Sequence, residues 1–274
     1  MSAVNLKSSD IKHILKEVKC NTGIDFSEYA FCFIKRRTEL FMFENKIISV
    51  TDLIYKLNKS PVIAGNFLDT IFIPPSELFR DAEVWNYIEK DILPKLITKK
   101  DIKIHFAYAA GGEELYSFLY ILNNFYSENI KICVTAVTEK HLSVIKKGEF
   151  SLQHLKASQK NIEILESAVD SDDIFIKNKD VYTIKSNYKG ELIFNTCNFF
   201  KEVFISEFDI VFFRNSMIYF NNELKDKSLK MVLRSLKKTG ILLIGEKELL
   251  NEESGKKFKR INKTMSIYKK KTFS

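Results

Sequence analysis

At 274 residues the chain is long enough for one large domain or two modest ones, and 45% hydrophobic residues supply a full core. Its formal net charge of +8 suits an acidic partner, whether nucleic acid, anionic membrane or acidic protein, and selects none of them. No run reaches the ~18 apolar residues of a membrane span and the N-terminus lacks a signal-type apolar core, so a cytoplasmic protein without membrane insertion is expected.

Residues 1–80 read as a helical domain. The pattern predicts a first helix capped by Asp10 and running through Lys19, broken at Asn21 to Gly23. A second helix is predicted from Ser27, with apolar Tyr29, Phe33 and Leu40 and basic Lys35, Arg36 and Arg37 between them. A third spans Ser49 to Leu57, where Ser49 and Asp52 have capping-box spacing. Pro61, Pro74 and Pro75 punctuate the remainder of this domain. The cysteines, Cys20, Cys32, Cys133 and Cys197, are widely spaced and form no CxxC, so buried free thiols in a reducing compartment are expected.

From residue 81 strands and helices alternate, which argues for a parallel or mixed α/β sheet. Ala82 to Leu93 reads as a helix stopped by Pro94, and Ile102 to Tyr108 as a strand. Gly111 and Gly112 come next, then a helix from Glu113 to Phe125. Ile130 to Val137 is a second strand, Glu139 to Lys147 a helix, and Phe208 to Phe213 another strand. A helix from Asn222 to Leu236 precedes strands at Ile241 to Ile244 and Thr264 to Tyr268. Val181 to Ile184 and Leu192 to Phe194 flank Tyr188 to Gly190 and read as an inserted hairpin, about 179–196.

Two places carry chemistry. The apolar strand Phe208 to Phe213 ends on Arg214 and Asn215, and the carboxyl end of a buried strand is where open α/β sheets place ligands. A buried Arg-Asn pair is costly without partners. Gly111 and Gly112 allow a tight turn and close backbone approach, and Glu114 at the adjoining helix start can accept hydrogen bonds from a ligand ammonium. The plainer alternative is that Glu113 and Glu114 complement the helix dipole.

Four segments in this order, Asn21 to Ser27, Ser76 to Arg80, Gly112 to Ser117 and Phe213 to Phe220, with Gly245 to Glu248 behind them, resemble the CheR-type chemotaxis receptor-glutamate methyltransferases over nearly the whole chain. The resemblance implies a helical N-terminal domain (1–80) and a Rossmann-like S-adenosylmethionine-dependent domain (81–274) carrying a small inserted β-subdomain, the position of the hairpin. It implies methyl transfer to glutamates on chemoreceptor cytoplasmic helices, with S-adenosylhomocysteine as product and no metal. Arg80 is then expected beside the cofactor and the transfer centre, and Tyr219 near the reacting methyl. Ser76, Gly112, Glu114, Asn198, Phe199 and Asn215 are the remaining expected cofactor contacts. Lys35, Arg36 and Arg37 are expected to meet the receptor or another acidic signalling protein. The alternatives for single residues are a surface pair of Arg80 with Asp81 or Glu83, a core role for Tyr219, and a solvated pair of Lys35 with Glu39.

The chain departs from the family where a nucleotide-binding acid is expected. Ala136 ends the second strand, with Glu139 three residues on as a candidate substitute. Pro74 replaces an Asn, Tyr108 stands where small residues are usual, and Leu115 replaces a Pro. Three readings therefore remain: an active glutamate methyltransferase, a degenerate relative that binds a signalling partner without methylating it, and a methyltransferase on another acidic substrate. Nucleic acid as that substrate rests on charge alone and ranks last.

Overall fold

The computed structural model of the chain describes residues 5–72, 76–126, 128–167, 171–196 and 207–272, the side chains of 171 and 172 apart. It divides into two compact units, Met1–Pro74 with Met217–Asp226, and Pro75–Ser216 with Lys227–Ser274.

The first unit holds α1 (Ser8–Thr22), α2 (Phe31–Glu44), α3 (Val50–Lys59) and α4 (Pro61–Phe72). Their inward faces bury Ile11, Ile14, Val18, Ile34, Phe41, Leu53, Leu57 and Phe67. Asp10 helps cap α1 from the third helical position, Lys7 being the N-cap residue: its carboxylate accepts the Lys7 N–H at 2.8 Å in a capping box. Gly23, at φ 72, ends α1 in the left-handed conformation that favours glycine. α2 starts at Phe31 and not at Ser27, whose N–H is taken by the Asp25 carboxylate in a local turn. Ser49 caps α3 as expected, accepting the Asp52 N–H. α4 was hidden by Pro61, which sits at its first position, where a missing N–H costs nothing. Met217–Asp226 joins this unit through Ala30 N–H to the Tyr219 carbonyl, 2.8 Å, and Asn221 N–H to the Glu28 carbonyl, 2.9 Å.

The second unit opens with α5 (Ala82–Tyr87), a π turn (Ile88–Ile92) and α6 (Leu93–Leu96). Pro94 does not stop this helix: the Leu93 N–H reaches back five residues to Ile88, and the widened turn accommodates the proline. Then come β1 (Ile102–Phe106), α7 (Glu113–Ile121), β2 (Ile130–Ala136), α8 (Glu139–Lys147), β3 (Phe150–Ser151), α9 (Leu152–Ile164) and α10 (Ser171–Ile174). β4 (Phe175–Asn178), β5 (Val181–Ile184), β6 (Glu191–Thr196), β7 (Phe208–Phe213), α11 (Asn222–Ser235), β8 (Leu236–Ile244), α12 (Glu252–Lys257), β9 (Phe258–Arg260) and β10 (Ile267–Lys270) complete the order.

The main sheet has the order β6-β2-β1-β7-β8-β10-β9. β6, β2, β1, β7 and β8 are parallel, and β10 runs antiparallel to β8 and β9. Every residue of β7 is buried, as a central parallel strand covered on both faces requires. The architecture is the expected Rossmann-like α/β sheet. The hairpin at 179–196 is a correction. β5 pairs with β4 and β3 in a separate three-stranded antiparallel sheet, whereas β6 pairs in parallel with β2 at the edge of the main sheet. Tyr188 ties the intervening turn to that edge, its hydroxyl donating to the Ile130 and Glu191 carbonyls. Buried thiols are also corrected: Cys20 and Cys32 are exposed and Cys133 is partly buried, while Cys197 lies outside the described residues.

At the amino end of the sheet, the Asp209 side chain is 1% exposed between Lys99 Nζ at 2.6 Å and Lys237 Nζ at 2.7 Å, and accepts the Lys103 N–H at 3.0 Å. Burial alone would raise its pKa; the bonds from Lys237, Lys99 and the Lys103 N–H outweigh it and hold the group below the usual carboxylate range. A depressed folded-state pKa contributes stability present above the ordinary Asp value of ~3.9 and lost as pH falls through the depressed value. Asp209→Asn is therefore expected to lower unfolding free energy by about 2 kcal/mol at pH 7, a deficit that closes as the wild type is acidified. Urea unfolding at pH 7 and at successively lower pH reads this out.

Candidate active site

In the parallel part of the sheet, β1, β2, β7 and β8 end on one edge, so the segments after Phe106, Ala136, Phe213 and Ile244 gather there. The chain moves outward from β1 through β2 to β6 and then returns to β7 on the other side of β1. The carboxyl ends of β1 and β7 thus form the topological switch point, the usual ligand crevice of such sheets. Backbone bonds fix the turn after β1. Ala107 N–H donates to the Phe212 carbonyl at 2.9 Å and Ala109 N–H to the Thr135 carbonyl at 2.8 Å. Gly112 precedes α7 at φ 91, a conformation that L side chains rarely adopt.

Arg214 is the hub. Its side chain is 1% exposed, with Nη1 2.9 Å from Glu114 Oε1 and Nη2 2.5 Å from Asp81 Oδ2. Nη2 also donates to the Arg80 carbonyl at 3.2 Å, and the guanidinium lies 5.6 Å from the centre of the Trp85 ring. This answers the cost of burying Arg214 and joins the end of β7, the start of α7 and the segment before α5. Arg214 Nε remains buried without a hydrogen-bond partner among the described residues.

The segment Glu77 to Asp81 is held from both sides. Leu78 N–H donates to Ser158 Oγ on α9, and Phe79 N–H to Ser117 Oγ on α7, at 2.9 and 2.8 Å. Asn161 Nδ2 donates to the Leu78 carbonyl and to Glu77. Trp85 Nε1 donates to the Arg80 carbonyl at 2.9 Å. The Arg80 side chain is partly exposed and makes no ion pair among the described residues, so the expected alternative of a surface pair with Asp81 fails: Asp81 belongs to Arg214. Phe79, Asp81, Tyr108 and Asn215 all have φ between 53 and 60, as do Lys46 and Lys179 elsewhere; these left-handed values are tolerated by Asp and Asn and strained for Phe79 and Tyr108. Asn215 is fixed by the buried Glu248 carboxylate, whose Oε2 accepts the Asn215 and Gly245 N–H groups at 2.9 and 2.7 Å. A Cβ at Gly245 would stand 2.5 Å from Asn215 Nδ2 and 3.0 Å from its backbone nitrogen, so the close approach requires glycine.

The electrostatics favour a cation. Glu114 is pushed up to about 7 by burial, opposed by Arg214 and reinforced by Glu248, Glu113 and Asp81. Burial also raises Glu113. Asp81 and Glu114 thus share one guanidinium, Glu113 and Glu248 act on Glu114 in addition, and Glu114 Oε2 is left without a hydrogen bond among the described residues. A positively charged ligand beside Glu114 favours its ionised form.

The structure brings together Gly112, Glu114, the Arg80 backbone and Asn215 of the expected set. Ser76 is partly buried at the head of the Glu77 segment, and its hydroxyl makes no hydrogen bond among the described residues. Asn198 and Phe199, like Pro74, lie outside the described residues. Tyr219, Lys35, Arg36 and Arg37 belong to the first unit. There Tyr219 packs on Phe33 with ring centres 4.3 Å apart. Lys35 is engaged by Asn5 at 2.8 Å and Glu39 at 3.7 Å, Arg37 donates to the Thr70 carbonyl, and Arg36 is exposed without an ion pair among the described residues. Nothing local in the sequence marks Asp81 as the partner of Arg214, or the parts played by Ser158, Asn161 and Glu248, because several of these contacts are long-range. Among the described residues, no cluster of His, Cys, Asp and Glu is disposed to hold a metal ion, and no helix is long and apolar enough to cross a membrane.

The family model described as CheR methyltransferase, SAM binding domain, matches residues 75–267. Among curated proteins, a chemotaxis protein methyltransferase of Listeria monocytogenes is 25% identical over 244 residues, covering 87% of this chain and 89% of that one. Its counterpart in Borreliella burgdorferi is 27% identical over 267 residues, 90% of each chain, and that of Campylobacter jejuni 25% identical over 267 residues, 96% of each.

Proposed function

The chain belongs to the CheR methyltransferase family through its SAM-binding domain, and from that premise we propose that it methylates glutamate side chains on acidic helices of chemoreceptors. The observation that carries this reading is the pairing of Arg214 with Asp81 and Glu114 at the switch point, with Glu113 and Glu248 near enough to Glu114 to raise it further. Glu114, raised by burial and acidic neighbours and returned to its ionised form by an added cation, fits S-adenosylmethionine, which carries an ammonium and a sulfonium against one carboxylate. Bound there, that cofactor supplies an electrophilic methyl group, with S-adenosylhomocysteine as the product.

The chain's own residues have limited tasks. Glu114 offers its second oxygen to a ligand ammonium while Arg214 holds the first. Gly111 leaves room for the Glu113 carboxylate and Gly112 supplies the left-handed turn into α7, while Glu248 keeps the Asn215 loop in its left-handed conformation. Arg80, bearing no ion pair among the described residues, is available to a substrate carboxylate. Substrate glutamate is ionised at neutral pH, given its usual pKa of ~4.3, so no general base is needed. Rate enhancement then rests on alignment and partial desolvation of that carboxylate.

Incubation with radiolabelled S-adenosylmethionine and cytoplasmic fragments of cognate receptors tests the reading. Alkali-labile label on receptor glutamates is expected; absence of transfer to every cognate receptor would contradict it. A second reading, partner binding without turnover, is favoured by one observation: Ala136, buried and apolar, ends β2 where a nucleotide-binding acid is usual. Absence of cofactor binding together with retained receptor binding would select it.

For docking, Arg36 is the basic residue of α2 that no ion pair occupies among the described residues, whereas Lys35 and Arg37 are engaged internally. Arg36→Glu is expected to weaken binding of an acidic receptor fragment about 10-fold at low ionic strength, with the difference shrinking in salt. Lys35→Glu is expected to have the smaller effect. Surface-attached receptor fragment and a salt series read this out; equal affinity of Arg36→Glu and wild type would remove α2 from the docking surface.

A further inference from the structure

The end of β2 bears no acid, but the structure brings one back to that end from the next element. In open α/β nucleotide sites a carboxylate after the second strand takes the ribose hydroxyls. Here Ala136 is the last residue of β2, and its register partner on the neighbouring strand is Thr196, the last residue of β6. Thr196 Oγ1 donates a hydrogen bond to Glu139 Oε1 at 2.9 Å. Glu139 is the first residue of α8, and the Thr196 bond holds its exposed side chain at the sheet edge where β2 and β6 end. Capping does not require this. Thr138 already caps α8, its Oγ1 accepting the His141 N–H at 3.2 Å. Glu139 is exposed, and its second oxygen has no partner among the described residues. The ligand turn after β1 adjoins the same place, since Ala109 N–H is bonded to the carbonyl of Thr135, next to Ala136.

We propose that Glu139, oriented by Thr196, supplies the ribose-binding carboxylate of the cofactor site in place of an acid at position 136. The proposal rests on the cofactor reading above. A ribose presents two neighbouring hydroxyl donors, and a carboxylate with one oxygen tethered and the other open accepts both. Thr196 acts through Glu139 and is a positioning residue.

Calorimetry with S-adenosylhomocysteine and its 2′-deoxy analogue tests this. Wild type is expected to prefer the ribose form at least 10-fold. Glu139→Ala is expected to bind S-adenosylhomocysteine roughly 10- to 100-fold more weakly and to lose the preference, as two charge-assisted bonds imply. Glu139→Gln, which keeps the side-chain volume, is expected to lose most of it. Thr196→Val is expected to weaken binding several-fold, with Thr196→Ser restoring it. Wild-type binding with Glu139→Ala unchanged in affinity and preference would overturn the proposal and leave the cofactor reading intact. If Glu139 serves only the α8 dipole, its removal lowers the melting temperature and leaves the preference in place, which also overturns the proposal. Wild type that binds neither ligand would overturn both.

Discussion

Replacing Arg214 with alanine is expected to lower unfolding free energy by roughly 3–5 kcal/mol, because removing one partner of a buried ion pair strands the other charges. Against a typical total of about 5–15 kcal/mol, that is enough to populate unfolded chain at ordinary temperature. The geometry explains the size. The guanidinium satisfies Glu114, Asp81 and the Arg80 carbonyl at once, and its removal leaves two carboxylates facing each other at the end of a fully buried strand. Arg214→Lys keeps the charge and loses the planar fork, so it is expected to recover only part of the loss. Urea unfolding followed by circular dichroism measures both. A change below about 1 kcal/mol in Arg214→Ala would mean that the cluster is held by other contacts.

Glu114→Gln is expected to weaken cofactor binding about 100-fold and to flatten its pH dependence. The carboxyl is pushed up to about 7, so near neutrality the ligand-free protein holds it partly protonated. A cationic ligand beside it favours the ionised form and expels the proton, so affinity rises from pH 6 to pH 8 in the wild type. Stability of the ligand-free protein moves the other way. A folded-state pKa raised above the reference 4.5 contributes stability that is present below the unfolded value and lost as pH rises through about 7. Thermal unfolding at pH 6 and pH 8, with and without S-adenosylhomocysteine, is expected to show this crossing in wild type and not in Glu114→Gln. A pH-independent affinity in wild type would contradict the assignment of the ammonium to Glu114.

Legibility in the sequence tracks the range of the forces involved. β7 and the turn at Gly111 and Gly112 were legible because hydrophobic runs and glycine pairs are local signals. Arg214 was legible as a problem, a charge on a buried strand, and its solution lies 100 and 133 residues away in sequence at Glu114 and Asp81. The expected hairpin failed for the same reason. Tyr188 to Gly190 reads as a turn between two apolar segments, but the second segment gains more from a parallel partner, β2, than from its sequence neighbour. α9 was missed because its exposed, weakly periodic surface buries little beyond Ser158. The left-handed Phe79 and Tyr108 break local backbone preference at the site, where local rules are expected to yield to function.

Titration of the purified protein with S-adenosylmethionine and S-adenosylhomocysteine, in two buffers of different ionisation heat at pH 7, tests most directly whether the carboxylates paired with Arg214 hold the cofactor. Micromolar binding accompanied by release of a fraction of a proton is the expected result. Heat-silent titrations up to millimolar ligand, with no protection against thermal unfolding, would contradict it.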